Sequence, residues 1–243
     1  MTGLTNAKAA VIFDMDGVIV DSARYHYLAW CNMLKRRGRD YSYEEFMTNF
    51  GRRTDMQLRR ILGDISDAEV AAFVKEKDIL FREIVGQNVA AFPGAVELIR
   101  SLRRSGSKIA VGSSSPAETV HLIVGKLGVK DDFDTIVCGN EVTEGKPSPQ
   151  IFLLAAKKLG AEPATCVVIE DAVVGVAAAR NGGMRAVAVT NTHQREALKD
   201  ADLVVDSLTE LSVNTLECLC NINAPSFPSA MGFNLRPITG TNV

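Results

Sequence analysis

Long apolar runs are missing from this chain. None approaches the roughly 18 residues that a membrane helix needs, so a helical membrane protein is excluded. A basic excess is missing too. In 243 residues, 27 Lys and Arg stand against 29 Asp and Glu, a net charge of −2 that gives no electrostatic footprint for nucleic acid. Paired cysteines are also lacking: Cys31, Cys138, Cys166, Cys218 and Cys220 are odd in number and scattered. Cys218 and Cys220 have one residue between them and no companion pair at zinc-ligand spacing. We read the five as reduced thiols packed as small hydrophobes, not as a redox or metal site. The first apolar run, Ala9 to Phe13, ends on Asp14 and Asp16, which is not the pattern of a signal peptide. A cytoplasmic protein is expected. No internal repeat is visible.

What is present is an ordinary globular composition, 47% hydrophobic and 23% charged. Short β-branched runs alternate with helix-length segments. The expected strands are Ala9 to Phe13, Lys108 to Val111, Thr135 to Cys138, Cys166 to Ile169, Ala186 to Val189 and Leu203 to Val205. This rhythm predicts an α/β fold, a doubly wound parallel sheet of Rossmann-like type whose strands are covered on both faces.

The rhythm breaks once. From Ser22 to Phe92, about seventy residues contain no convincing strand but three helix-start signatures. These are Ser42 with Glu45, Thr54 with Gln57, and Ser66 with Glu69, each spaced as a capping box. A helical cap inserted at residues 22–92 is expected, over the carboxyl end of a core formed by 1–21 and 93–220. In the core, Ser115-Pro116-Ala117-Glu118 predicts a helix start capped by Ser115 with Pro116 as its first residue, and Ser148-Pro149 predicts another. Residues 221–243, rich in Pro, Ser, Gly and Asn, are expected to form a tail.

Four features carry chemistry. Val11-Ile12-Phe13-Asp14-Met15-Asp16-Gly17 places two carboxylates at the end of a buried strand, where Gly17 allows a sharp turn. The plain alternative is a turn of solvated acids. Val167-Val168-Ile169-Glu170-Asp171 repeats the design. If the two strand ends are neighbours, their carboxylates repel one another unless a hard divalent cation such as Mg²⁺ joins them. Ser113-Ser114-Ser115, between a strand and a helix, offers hydroxyls and backbone N–H groups to an anion; Ser115 can cap while Ser113 binds. Gly145-Lys146-Pro147 projects a lysine from a turn, a candidate for neutralising phosphate charge.

In this order the four features resemble the haloacid dehalogenase superfamily of phosphotransferases, over about residues 8 to 215. The resemblance implies that Asp14 is a nucleophile forming an aspartyl-phosphate and that Asp16 is the general acid and then base. It implies Mg²⁺ held by Asp14, the backbone carbonyl of Asp16 and Asp171, with Glu170 in or just behind that shell. Ser113 and Lys146 then hold the phosphoryl group, with Ser114 and Ser115 beside it. The acid at Asp16 argues against dehalogenation and phosphonate hydrolysis.

Asp21 to Trp30 further resembles the hinge and first cap helix of β-phosphoglucomutases and allied sugar phosphatases. His26 and Trp30 are four apart, on one helix face. The resemblance gives His26 a part in cap closure and proton transfer, and Lys77 the place of a cap lysine presented to substrate. There is one departure. The position where mutases carry an arginine for a second phosphate is Thr54, while Arg52 and Arg53 fall earlier. His26 favours a phosphohexomutase; the displaced arginines favour a phosphatase. The expected activity is hydrolysis of a small phosphorylated metabolite, a sugar phosphomonoester, with the mutase as its rival and a monomer as the working unit. A non-enzymatic binding module on this fold predicts a broken set of motif residues, and none is broken.

Overall fold

The computed structural model describes residues 10–50, 52, 54–87 and 89–220. Six strands form one parallel sheet: β1 (Ala10–Phe13), β2 (Lys108–Gly112), β3 (Thr135–Val137), β4 (Cys166–Glu170), β5 (Arg185–Val189) and β6 (Leu203–Val205), in the order β3-β2-β1-β4-β5-β6. The order reverses direction at β1, whose neighbours are β2 on one side and β4 on the other. Open α/β sheets bind ligands at such a switch point. The sequence expectation matches every strand to within a residue or two, with Ala9 outside the described residues.

The alternation along β1 shows why the sheet is buried on both faces. Val11 and Phe13 join the cluster that holds Leu98, Ile99 and Leu102 of α5 (Ala95–Ser105), Val120 and Ile123 of α6 (Ala117–Lys126), and Leu216 of α9 (Val213–Cys220). Ala10 and Ile12 point the other way, against Phe152 of α7 (Gln150–Leu159) and Val176 of α8 (Val173–Asn181). Asp202, fully buried, accepts from Arg185 Nη1 at 3.0 Å and from the backbone N–H of Ala186 at 2.8 Å, which ties the loop before β6 to β5.

Between β1 and α5 lie α1 (Ala23–Lys35), α2 (Tyr43–Asn49), α3 (Thr54–Leu62) and α4 (Asp67–Gln87), with no strand among the described residues. The two chain segments that lead into and out of this insertion pair through a single antiparallel bridge, Val20 with Ala91. Phe92 N–H also donates to Ile19 O at 2.9 Å. Two of the expected capping boxes form, though the first only by half. Ser42 Oγ accepts from Glu45 N–H at 3.1 Å, and Ser66 and Glu69 bond reciprocally. The box at Thr54 does not form. Thr54 is itself the first residue of α3, and the Gln57 amide turns back to donate to Arg52 O at 2.7 Å.

Two further expectations are corrected. Ser115 does not cap α6; the extended Pro116 precedes its first turn, and the Ser115 hydroxyl is used elsewhere. Pro149, not Ser148, precedes α7. The expected tail, 221–243, and Arg53 lie outside the described residues. The five cysteines are free, three buried and two half-buried. No helix among the described residues is long and apolar enough to cross a membrane.

Candidate active site

Register brings the acids together. Phe13 is opposite Ile169, so the next residues, Asp14 and Glu170, leave the sheet side by side, and Asp14 N–H still bonds Ile169 O at 2.9 Å. Asp14, Glu170 and Asp171 each offer a carboxylate oxygen, all within 4.8 Å of one another, and all three are buried. Gly17, at φ 89°, turns the chain under Asp171; a side chain there would collide with the Asp171 carboxylate. Gly175 on α8 likewise makes room for the Glu170 carboxylate.

Lys146, from the loop between β3 and α7, is 5% exposed and donates to Asp14 Oδ1 at 2.6 Å and to Glu170 Oε1. Glu170 Oε2 accepts from the backbone N–H groups of Asp171 and Ala172, each at 2.8 Å. Thus both Glu170 oxygens are engaged. Asp171 accepts from the Thr192 hydroxyl. One ammonium faces three carboxylates, and the electrostatics follow. Burial pushes Asp14 up to about 7 against the pull of Lys146. Burial, with Glu170 and Asp14 nearby, raises Asp171 well above the usual carboxylate range. Burial alone would lower the Lys146 ammonium, but Asp14 and Glu170 hold it above its ordinary value.

Asp16 lives differently. Its carboxylate turns away from the cluster and accepts from the Ser22 hydroxyl at 2.5 Å, the His26 ring at 3.1 Å and the Ser115 hydroxyl at 2.8 Å. Burial alone would raise it, yet these partners hold it below the usual range. His26 stacks on Phe81 with centroids 3.8 Å apart, and its Nδ1 lies 2.9 Å from Lys77 Nζ. Burial and Lys77 together lower the imidazole to about 4. A neutral ring fits the geometry: Lys77 donates to Nδ1, and Nε2–H donates to Asp16. Burial lowers Lys77 as well. The chain Lys77–His26–Asp16 joins α4 and α1 to the end of β1.

Both groups open into one cavity of about 60 Å³. Asp14, Asp16, Ser114, Ser115, Lys146, Glu170 and Asp171 line it from the sheet end; His26, Trp30, Arg52, Thr54, Gln57, Lys77 and Asp78 line it from the insertion. Ser113 is fully buried beneath, its Oγ accepting from Ser115 N–H at 3.1 Å, and it is not among the lining residues. Lys77 lines the cavity as well, with its Nζ 2.9 Å from His26 Nδ1.

Three comparisons bear on this architecture. A family model described as a haloacid dehalogenase-like hydrolase matches residues 8–183. The chain belongs to this family. The haloacid dehalogenase-like chain is 34% identical over 215 residues to β-phosphoglucomutase of Bacillus subtilis, covering 85% of this chain and 93% of that one. It is also 34% identical over 207 residues to hexitol phosphatase A of Escherichia coli, covering 83% and 92%. The crystal structure of β-phosphoglucomutase from Clostridium difficile superposes with a TM-score of 0.81 at 32% identity, over 89% of this chain and 98% of that one. The protein is an enzyme of this family's phosphatase and phosphomutase kind, and its resemblances and its fold agree.

Several residues of the site escaped sequence reasoning. Thr192 holds Asp171, and Asn191 Nδ2 donates to Gly17 O at 2.7 Å. Both follow β5, and only the sheet order brings that loop to the acids. Ser22 carried a signal, since it stands at the expected hinge. Gln57 carried only the signal of a capping box, and Asp78 carried none.

Proposed function

We propose that this enzyme hydrolyses a small phosphorylated sugar or polyol through an aspartyl-phosphate on Asp14. The observation that carries the reading is the contrast between two aspartates two residues apart. Asp14 sits against Lys146 within a cluster of buried carboxylates, while Asp16 is held apart by Ser22, Ser115 and His26. The names of the relatives, a phosphoglucomutase and a hexitol phosphatase, support the substrate class.

The donor set fits Mg²⁺: all oxygen, buried, with more negative charge than Lys146 offsets. Asp14, Asp171 and the backbone carbonyl of Asp16 would hold the ion, with Glu170 behind them because Lys146 and two N–H groups already occupy its oxygens. Bound there, Mg²⁺ supplies charge neutralisation for the nucleophile and the phosphoryl oxygens.

In the first step a carboxylate oxygen of Asp14 bonds to phosphorus while the bond from phosphorus to the ester oxygen breaks. Asp16, which Ser22, Ser115 and His26 hold ionised in this arrangement, must first take up a proton from solvent, and it then gives that proton to the leaving oxygen. In the second step water attacks phosphorus, Asp16 takes the water's proton, and the bond from phosphorus to Asp14 breaks. Lys146 steadies the transferring group. The Lys77–His26 pair sets the protonation of Asp16 from the insertion, so acid–base competence depends on the insertion being in place. At about 60 Å³ the cavity is far below the ~300 Å³ that small-molecule sites begin at, so residues 22–92 act as a cap that must part from the core. The Val20–Ala91 bridge is the natural hinge.

A phosphohexomutase is the second reading, favoured by His26 on Asp16 and by Arg52 in the cavity. Phosphorus NMR with Mg²⁺, β-glucose 1-phosphate and a trace of glucose 1,6-bisphosphate separates the two. Hydrolysis predicts inorganic phosphate; growth of glucose 6-phosphate instead establishes the mutase.

A further inference from the structure

Lys146 stands between carboxylates that come from two different strands, yet it is carried by the loop between β3 and α7. Its ammonium sits on a long flexible stem, and loops are more mobile than the elements they join. The loop must therefore be fixed to the sheet by other residues. Gln150, the first residue of α7, does this with a single atom. Its Oε1 accepts from the Thr143 N–H, the Thr143 hydroxyl and the Glu144 N–H, each at 3.1 Å. An amide oxygen has two lone pairs, so three converging donors use it to the full. On the other side of Lys146, Asn181 at the end of α8 donates to Pro147 O at 3.1 Å. The loop is held just before and just after the lysine. The same helix also meets the ammonium: the centroid of the fully buried Phe152 ring lies 4.9 Å from Lys146 Nζ. Phe152 packs with Ile12 of β1, so α7 ties the loop to the strand that carries Asp14.

From this arrangement we infer that Gln150 is a positioning residue for Lys146: its side-chain oxygen sets the loop so that the ammonium reaches Asp14 and Glu170 together. Gln150 touches no reacting atom. It acts through Thr143 and Glu144, and its effect on the reaction rests on Lys146 steadying the transferring phosphoryl group as proposed above. Without the acceptor, the N–H groups of Thr143 and Glu144 turn to water and the loop gains other conformations. The ammonium is then no longer held within hydrogen-bond distance of both carboxylates. A displacement of about 1 Å in a positioned group can cost on the order of 10²-fold in rate. The position requires an oxygen and not an amide, because all three bonds end on Oε1. Glutamate supplies that oxygen; leucine, of similar size, does not.

Chemical labelling reads the lysine without reference to turnover. The full chain with Mg²⁺ is acetylated by an N-hydroxysuccinimide ester, and the rate at each lysine is followed by peptide mass analysis. Exposed Lys157 of α7 is the internal reference, and buried Lys77 of α4 is the control for general loosening. Gln150→Leu and Gln150→Ala should each raise the rate at Lys146 relative to Lys157 by about tenfold or more, the scale of losing a supporting partner, with Lys77 unmoved. Gln150→Glu should keep the wild-type rate. With p-nitrophenyl phosphate, kcat should fall about tenfold in Gln150→Leu while KM moves less than about threefold, the mark of an interaction made in the transition state. Gln150→Glu should restore kcat. A Lys146 rate that stays at the wild-type value in both Gln150→Leu and Gln150→Ala overturns the inference. A rise at Lys77 in step with Lys146 in both variants also overturns it, as does a Gln150→Glu variant that behaves like Gln150→Leu. If Lys146 becomes reactive while kcat is unchanged, Gln150 still places the lysine, and it is the part given to Lys146 in phosphoryl transfer that falls.

Discussion

Asp14 and Asp16 are two residues apart, line the same cavity, and are pushed in opposite directions. Asp14 is raised to about 7 by burial among like charges, whereas Asp16 is held low by two hydroxyls and an imidazole N–H. The first environment is electrostatically incomplete and needs a cation. The second is complete and needs none. Two identical side chains thus acquire two roles from their surroundings, one to be joined to phosphorus and one to move protons.

The predictions follow that contrast in order of size. Asp14→Asn should lower phosphate release by roughly 10⁴- to 10⁶-fold, the scale of losing a nucleophile. Wild-type turnover by this variant would end the distinction. Exhaustive chelation should abolish turnover, and Mg²⁺ should restore it; undiminished activity would mean that the acid cluster needs another account. Asp16→Asn should cost about 10²- to 10⁴-fold on a sugar phosphate, the usual worth of a positioned acid–base group. The loss should be smaller with p-nitrophenyl phosphate, whose leaving group needs no proton. Equal losses on both substrates would remove the acid from Asp16.

Thr192→Val should weaken Mg²⁺ binding by about tenfold while leaving the fold melting as before, since it removes only the hydroxyl that orients Asp171. The smallest effect is one of stability. Without a cation the folded protein holds the Asp14 proton more tightly than the unfolded chain does. Cation-free stability should therefore be fully present below the ordinary value of 3.8 and decline as pH rises towards about 7. Mg²⁺ should reverse that decline, and thermal melts at pH 5 and pH 8 with and without Mg²⁺ test it.

Much of this was legible in the residues. A buried β-branched run ending in Asp-x-Asp, and another ending in Glu-Asp, could only meet on neighbouring strands, and the sheet places β1 beside β4. Lys146 was legible through its turn and its place in the order. The cap side was not. Ser115 looked like a helix cap, but the Asp16 carboxylate, ninety-nine positions away, is a stronger acceptor for its hydroxyl than the helix start is a donor to it. Gln57 looked like half of a capping box; the Arg52 carbonyl claimed its amide. Lys77 was legible only through the resemblance, and Asp78 carried no signal until α4 was laid along α1 and both were buried. In each case the local signal lost to a partner that only tertiary structure brings near.

The central claim is that phosphorus is joined to Asp14. Rapid quench of the Mg²⁺ enzyme during turnover, borohydride reduction of the acyl-phosphate and peptide mass analysis read it directly. The account predicts reduction confined to Asp14, rising and decaying with turnover. Steady phosphate release with Asp14 never modified, or with modification at another residue, would contradict it.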